Sequence, residues 1–207
     1  KELLGVAMAG FKSPAYGVGE AVMNTLEKLG YAYDSSVCPN AAAPLIRWIQ
    51  RIWLRYERGR AEFGRFHSAA APSVPYHPAA GDVYSRGGRA IWEVPVSTLP
   101  LLRLPFHFSF LNVLGMGWFA LARGLHALCR PRYLNFAFHA IDILDAATVP
   151  EPLRWRPGLA IPGADKLKRA AAILRWIRSR YQTHTTLGLV EKIARQRELG
   201  LGAQLQF

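Results

Sequence analysis

The stretch VAMAGFKSPAYGVGEAVMNTLEKLGYAYDSSV, residues 6–37, decides the fold class. It begins with a short apolar run, 6–9, that predicts a buried strand. Apolar residues then recur at helical spacing over 20–29, and Gly30 ends that pattern as a helix C-cap. A second strand is predicted over 31–37. Because a strand, a helix and a strand follow one another so closely, we expect a βαβ unit and hence an α/β fold with a parallel sheet.

The remainder of the chain continues this alternation. Its apolar patterns predict two more strands and two more helices, at 91–96, 133–140, 165–181 and 187–199. The stretch 64–88 is rich in Pro, Ala, Ser and Gly and predicts a long loop before the strand that contains Glu93. The sequence therefore predicts one α/β domain with a proline-rich insertion.

One segment is long, apolar and free of charge. Residues 104–122 contain no Lys, Arg, Asp or Glu, and their length approaches that of a membrane span. The segment is interrupted by Pro105, Asn112, Gly115 and Gly117. These interruptions favour a buried or interfacial loop and helix over a true span.

Composition excludes some classes of protein. With 51% hydrophobic and 19% charged residues, the chain is globular rather than disordered. Its net charge of +12 attracts polyanions such as anionic lipid headgroups or nucleic acid. No nucleic-acid module and no complete phosphate-binding glycine loop accompanies that charge, so we expect no nucleic-acid partner. The two cysteines, Cys38 and Cys129, are too few for a disulfide framework or a zinc cluster.

Three segments carry a distinctive set of polar residues in a fixed order: GFKSPAY (10–16), LGYAYDSSV (29–37) and YLNFAFH (133–139), with EVPVS (93–97) between the last two. The set resembles the NodB homology domain of carbohydrate esterase family four, in which a Gly-Phe-Arg motif, a Tyr-Asp-Ser-Ser strand and a final histidine follow one another. The resemblance implies that residues 1–207 are the C-terminal part of a single NodB-like domain. Its fold would be the second half of a distorted (β/α) barrel.

The same resemblance implies a hydrolase that deacetylates an N-acetylated or otherwise acylated carbohydrate, with a lipid-linked glycan as one candidate substrate. Members of the family use a divalent metal, zinc or a similar ion, to polarise the carbonyl and activate water. Their base and their Asp-His-His ligands lie upstream of the Gly-Phe-Arg motif. This chain has no histidine pair at ligand spacing. We therefore expect the metal-binding half to be absent from this chain, and the chain alone to be inactive.

His139 is the first candidate catalytic residue. The resemblance implies that it is the general acid on the leaving amine, a role that suits imidazole because it titrates close to neutral pH. The alternative is a structural histidine bonded within the barrel rim. Asp142 either supports His139 or caps the following segment. Asp34 either orients a loop or the acid, or satisfies backbone groups through an Asx turn.

The GFKSPAY segment supplies three further candidates. Lys12 stands where the family has an arginine that orients the catalytic carboxylate, and lysine keeps the charge but lacks the planar fork of a guanidinium. The alternative is a solvated loop lysine. Ala15 stands where the backbone N–H faces the oxyanion in the family. Tyr16 is a candidate for substrate binding, one position later than the tyrosine of many relatives.

Two tryptophans are candidates for stacking on a sugar ring. Trp92 lies in the predicted strand 91–96, and Trp118 lies in the uncharged segment. An aromatic side chain within an apolar run more often belongs to the core.

The segment 45–58 supports a different function. Its apolar residues share one helical face, while the other carries Arg47, Arg51, Arg55 and Arg58. This pattern is typical of a helix on an anionic membrane surface and also of a solvated outer barrel helix. Two alternatives to the deacetylase therefore remain open. One is a non-catalytic carbohydrate-binding pseudoenzyme, which Lys12 favours, and the other is a membrane-peripheral protein that acts through 45–58.

Overall fold

The computed structural model of the protein describes residues 5–42, 66–154 and 158–199. The chain divides into two compact units. The first unit combines residues 1–39, 43–95 and 183–207, and the second combines residues 40–42 and 96–182. The arginine-rich segment 45–58 lies outside the described residues, so its helix stays a prediction.

A small parallel sheet organises the first unit. Strand β1 is Gly10–Phe11, β2 is Tyr33–Asp34 and β3 is Trp92–Glu93, in the order β1-β2-β3. Helix α1, Glu20–Lys28, connects β1 to β2 as the sequence predicts, so a βαβ unit is present. Helix α4, Thr186–Glu198, ends the described part of this unit.

Each of these strands is shorter than its sequence pattern. The apolar run 6–9 precedes β1 instead of forming it, and the predicted strand 91–96 pairs only at Trp92 and Glu93. Close packing at the start of β1 requires glycine. A Cβ on Gly10 would lie 1.9 Å from Cζ of Tyr33, the residue paired with it on β2.

The buried side chain of Arg89 connects α1 to the chain before β3. The Arg89 guanidinium forms ion pairs with Glu20 and Glu27, at the two ends of α1. Glu27 also accepts a hydrogen bond from the backbone N–H of Ala90 at 2.9 Å. The apolar face of α1 is buried against side chains of the chain before β3, in a cluster of Met23, Leu26, Val83 and Ile91.

Two long helices form the second unit. Helix α2 is Phe108–Cys129 and helix α3 is Gly163–Arg180. Their shared core is aromatic, because Trp176 of α3 packs edge-on against Phe119 and against His126 of α2. Short 3-10 helices occur at Pro14–Tyr16, Phe66–Ala70, Ala140–Ile143 and Glu151–Leu153.

Helix α2 bends at Gly115. This residue has φ 80° and ψ −175°, a conformation that is open to glycine and strained for other residues. Three residues earlier, the backbone carbonyl oxygen of Asn112 accepts a hydrogen bond of 3.0 Å from the Arg169 guanidinium of α3. By length and composition α2 is long enough to cross a membrane, but this is weak evidence because a core helix of a soluble protein meets the same criterion.

The predicted strand 133–140 is wrong. Residues 133–139 are extended but belong to no sheet in the described structure. Their backbone instead makes isolated hydrogen bonds, from Ser97 N to Asn135 O and from Phe108 N to Ala137 O, both 3.0 Å. The alternation of apolar residues indicates that one side of the segment is covered, and here Phe136 packs against Phe106 and Phe138 against Phe108.

Candidate functional site

The carboxyl edge of the sheet brings three ionisable side chains together. Asp34 and Glu93 are register partners on β2 and β3, and Lys12 directly follows β1. Neighbouring residues of parallel strands point to the same side of a sheet, so this register places both carboxyl groups side by side. Both residues are completely buried.

Glu93 is a fully buried acid next to a second carboxyl group. Burial raises the pKa of Glu93 well above its usual range, and the neighbouring Asp34 raises it further. Its Oε1 accepts a hydrogen bond from Val37 N at 3.0 Å, as a carbonyl oxygen does. Its Oε2 is buried and has no other partner among the described residues. A proton on Oε2 would let that oxygen donate a hydrogen bond to the neighbouring Asp34.

Asp34 is the member of this carboxyl pair that accepts hydrogen bonds from the chain after β2. Burial raises the pKa of Asp34, while hydrogen bonds from Glu93 and Ser36 act in the opposite direction. Ser36 donates twice, from its backbone N at 3.1 Å and from Oγ at 2.8 Å. This is the geometry of an Asx turn, in which the side chain shapes the backbone after the strand.

The loop after β1 is fastened to the same turn. Lys12 Nζ donates to the carbonyl oxygen of Ser35 at 2.7 Å, and Ser13 N donates to Ser36 Oγ at 2.7 Å. Removal from water lowers the pKa of Lys12, although Glu93 and Asp34 act to raise it. The Lys12 ammonium also lies 5.3 Å from the ring centroid of Tyr16. The lysine thus binds a carbonyl and an aromatic face of this chain, while the residue as a whole stays exposed.

Ala15 and Tyr16 lie in one tight turn next to Lys12. Ala15 is the middle residue of the 3-10 helix Pro14–Tyr16. Tyr16 has φ 60°, in the left-handed region, and its backbone N donates to Ser13 O at 3.4 Å. The structure thus brings Lys12, Ala15, Tyr16 and Asp34 together where β1 and β2 end.

The second unit holds the histidine part of the predicted site. His139 is exposed and precedes the 3-10 helix Ala140–Ile143. Asp142 Oδ2 accepts hydrogen bonds from the His139 backbone N at 2.9 Å and from its Nδ1 at 3.3 Å. One carboxylate oxygen therefore both caps the turn and orients the imidazole. Because a carboxylate oxygen accepts, Nδ1 is the donor of this pair, and Nε2 is the ring nitrogen that lies outside it.

Asp142 is itself fixed by neighbouring helices. The residue is buried, and its backbone carbonyl accepts a hydrogen bond from Asn112 Nδ2 of α2 at 2.9 Å. Lys166 of α3 donates to the carbonyl of Leu144 and experiences the charge of Asp142. The imidazole of His139 is thus hydrogen-bonded to a buried residue that also contacts α2.

The two candidate sugar-stacking tryptophans lie against packed side chains. Trp92 is buried between the His77 ring, 4.0 Å away by centroids, and the Arg197 guanidinium, 4.7 Å from its ring. Trp118 is partly buried and packs edge-on against Phe110. Trp92 belongs to the first unit and Trp118 to the second.

Sequence reasoning missed the role of Glu93. The apolar pattern predicts only that Glu93 lies in a strand. A carboxyl group within the apolar run IWEVPV also indicates a buried acid with a hydrogen-bonding partner. Ser36 was missed in the same way, because a serine beside Asp34 gives no sign that it also receives a backbone N–H from the loop after β1. Only the register of β1 and β2 reveals that bond.

The described residues offer no metal centre, because none of their His, Cys, Asp and Glu side chains gather in a group of three or more. Cys38 and Cys129 are free thiols in different units. The chain matches no protein-family model, no curated protein and no solved structure.

Proposed function

We propose that the chain is the C-terminal part of a NodB-type deacetylase that removes an acyl group from an acylated carbohydrate. The observation that carries the proposal is the juxtaposition of Lys12, Asp34 and Glu93 at the carboxyl ends of three adjacent parallel strands. Parallel α/β barrels keep their reacting groups at this end of the sheet. Two of the segments that carry the NodB resemblance, GFKSPAY and LGYAYDSSV, supply β1 and β2.

The chain's own contribution would be to proton transfer and positioning. His139, oriented through Nδ1 by Asp142, would give a proton from Nε2 to the departing amine. The Ser36–Asp34–Glu93 network would keep the loop that carries Lys12 and Ala15 in place. The divalent metal, which polarises the acyl carbonyl and activates water when bound, would be held by residues upstream, as the resemblance implies. The described residues contain no group of three or more side chains that could ligate it.

One test replaces His139 in a protein that also carries the upstream half. We expect His139→Ala to lower kcat on acetylated chito-oligosaccharides or lipid-linked sugars by about 10²–10⁴-fold, the usual scale for a general acid. Thermal stability should change little because the side chain is exposed. The matched control is His184→Ala, which removes another exposed histidine. Normal turnover by a folded His139→Ala protein would remove His139 from the mechanism.

A carbohydrate-binding pseudoenzyme is the second candidate. The observation that favours it is the Lys12 ammonium, whose hydrogen bond is made to the Ser35 carbonyl. The coding sequence upstream separates the two candidates. An Asp-Asp strand followed by His-x-x-x-His there would favour the enzyme, and their absence would favour the pseudoenzyme.

A further inference from the structure

The exposed residues of α2 are mostly apolar, which is unusual for a helix that faces water. Its inward side is formed by Phe119, Ala122 and His126, which are buried at three- and four-residue spacing. Other large apolar residues of α2, before and after the bend at Gly115, are between 40% and 53% exposed, or 74% at the helix end: Val113, Leu114, Met116, Leu121 and Leu128. We call these five residues the apolar outer surface of α2.

The positions between these residues add no polarity. Gly117, Ala120, Gly124 and Ala127 are exposed as well, and Arg123 is the only charged residue in the helix. Solvent-facing sides of helices in globular proteins normally carry charged or polar residues. Single exposed leucines need no explanation, but a long helix whose exposed residues are almost all apolar indicates an interaction surface.

The packing of α2 argues against its crossing a membrane. His126 Nδ1 lies 2.8 Å from the Tyr181 hydroxyl, and Phe119 packs against Trp176 of α3. Crossing a bilayer would break these contacts and leave the buried polar groups of Asn112 and His126 in lipid. A helix that keeps one side on the protein and presents the other to lipid keeps all of them.

Charge identifies the partner. The second unit contains 12 Lys and Arg residues against four Asp and Glu residues. The end of α2 is followed at once by exposed Arg130 and Arg132, and exposed Leu101 and Leu102 are followed by Arg103. A second copy of so basic a chain would be repelled. Anionic lipid headgroups would be attracted to the same arginines that border the apolar side chains.

We propose that the apolar outer surface of α2 docks on an anionic membrane surface, with the helix lying along the interface. This surface is separate from the segment 45–58, and the proposal does not rest on the deacetylase function. It places an acylated substrate carried by a lipid within reach of the protein, but it holds equally for a protein without catalytic activity.

The test measures flotation of the purified chain with vesicles of phosphatidylcholine and phosphatidylserine, and with vesicles of phosphatidylcholine alone. We expect binding to the anionic vesicles and at least tenfold weaker binding by Leu121→Glu/Leu128→Glu. The matched control is Leu167→Glu/Leu174→Glu on α3, which has the same spacing, charge change and comparable exposure. The control should retain most of the binding. Circular dichroism of both variants checks that they are folded.

Four outcomes would overturn the proposal. Binding to neither kind of vesicle would do so, as would an equal loss in both double variants, which would indicate charge repulsion alone. Retained binding in the α2 variant with loss in a variant whose Arg47, Arg51, Arg55 and Arg58 are replaced by Gln would transfer the membrane contact to the segment 45–58. A lipid-free dimer that Leu121→Glu/Leu128→Glu converts to a monomer would show that a second copy covers this surface.

Discussion

Glu93 is a buried carboxyl group whose contribution to the stability of the fold falls as the pH rises. Its pKa is raised in the folded protein by burial and by Asp34, so the folded state keeps a proton that the unfolded state releases above pH 4.5. The stabilising contribution of that proton is complete below pH 4.5 and is lost as the pH rises through the folded pKa. The acid is therefore a cost at neutral pH.

Glu93→Gln should remove that cost. The glutamine carbonyl can accept from Val37 N, and its amide can donate to Asp34, as the protonated acid does. We expect the variant to gain stability relative to the starting protein as the pH rises above 4.5, by up to about 1.4 kcal/mol per pH unit. Urea denaturation between pH 4 and pH 8 measures this difference.

Glu20→Gln is the opposite control for this experiment. Arg89 lowers the pKa of Glu20, so the glutamate stabilises the protein at neutral pH and that contribution is lost as the pH falls through the folded pKa. The two variants should therefore diverge from the starting protein in opposite directions. Parallel pH curves for Glu93→Gln and the starting protein would mean that Glu93 is ionised.

At the scale of a helix, His126 determines how α2 and α3 respond to acid. The side chain is buried against Trp176 and Tyr181, and its Nε2 has no partner among the described residues. Burial lowers the pKa of His126 to about 4. Below pH 6.5 the imidazole of His126 binds a proton in the unfolded chain but not in the folded chain. The free energy of unfolding therefore falls as the pH decreases from 6.5 to about 4.

His126→Phe should abolish this part of the acid sensitivity. We expect the starting protein to lose up to about 1.4 kcal/mol per pH unit through His126 between pH 6.5 and 4, and the variant to lack that slope. The difference between the two denaturation curves isolates it from the contribution of Glu93, which has the opposite sign. An unchanged slope would show that the imidazole can be protonated in the folded protein.

At the scale of the whole molecule, the proposal assigns metal binding to residues that precede this chain. We therefore expect the 207-residue chain, mixed with zinc and passed through gel filtration, to retain much less than one zinc ion per molecule. Metal analysis of the protein peak measures this. Stoichiometric zinc that survives filtration would place a site within the chain and contradict the assignment.

Much of the local structure follows from the sequence, because it depends on neighbours along the chain. The apolar spacing and Gly30 predicted α1, and similar patterns predicted α3 and α4 to within a few residues. The βαβ connection and its parallel pairing also follow from pattern alone. The helical stripe in 45–58 lies outside the described residues and stays a prediction.

Tertiary structure alone decided which residues meet. The apolar alternation of 133–139 reports that one side is covered but not whether a strand or a helix covers it, so the predicted strand there is wrong. The raised pKa of Glu93 depends in part on the register that places Asp34 beside it, and no spacing in the chain encodes that distance. The sequence allows Asp142 either to cap the following turn or to orient His139. In the fold, one of its carboxylate oxygens contacts both the backbone N–H and the ring of His139. Helical periodicity depends on bonds between near neighbours, whereas protonation, hydrogen bonding and burial depend on residues far apart in the chain.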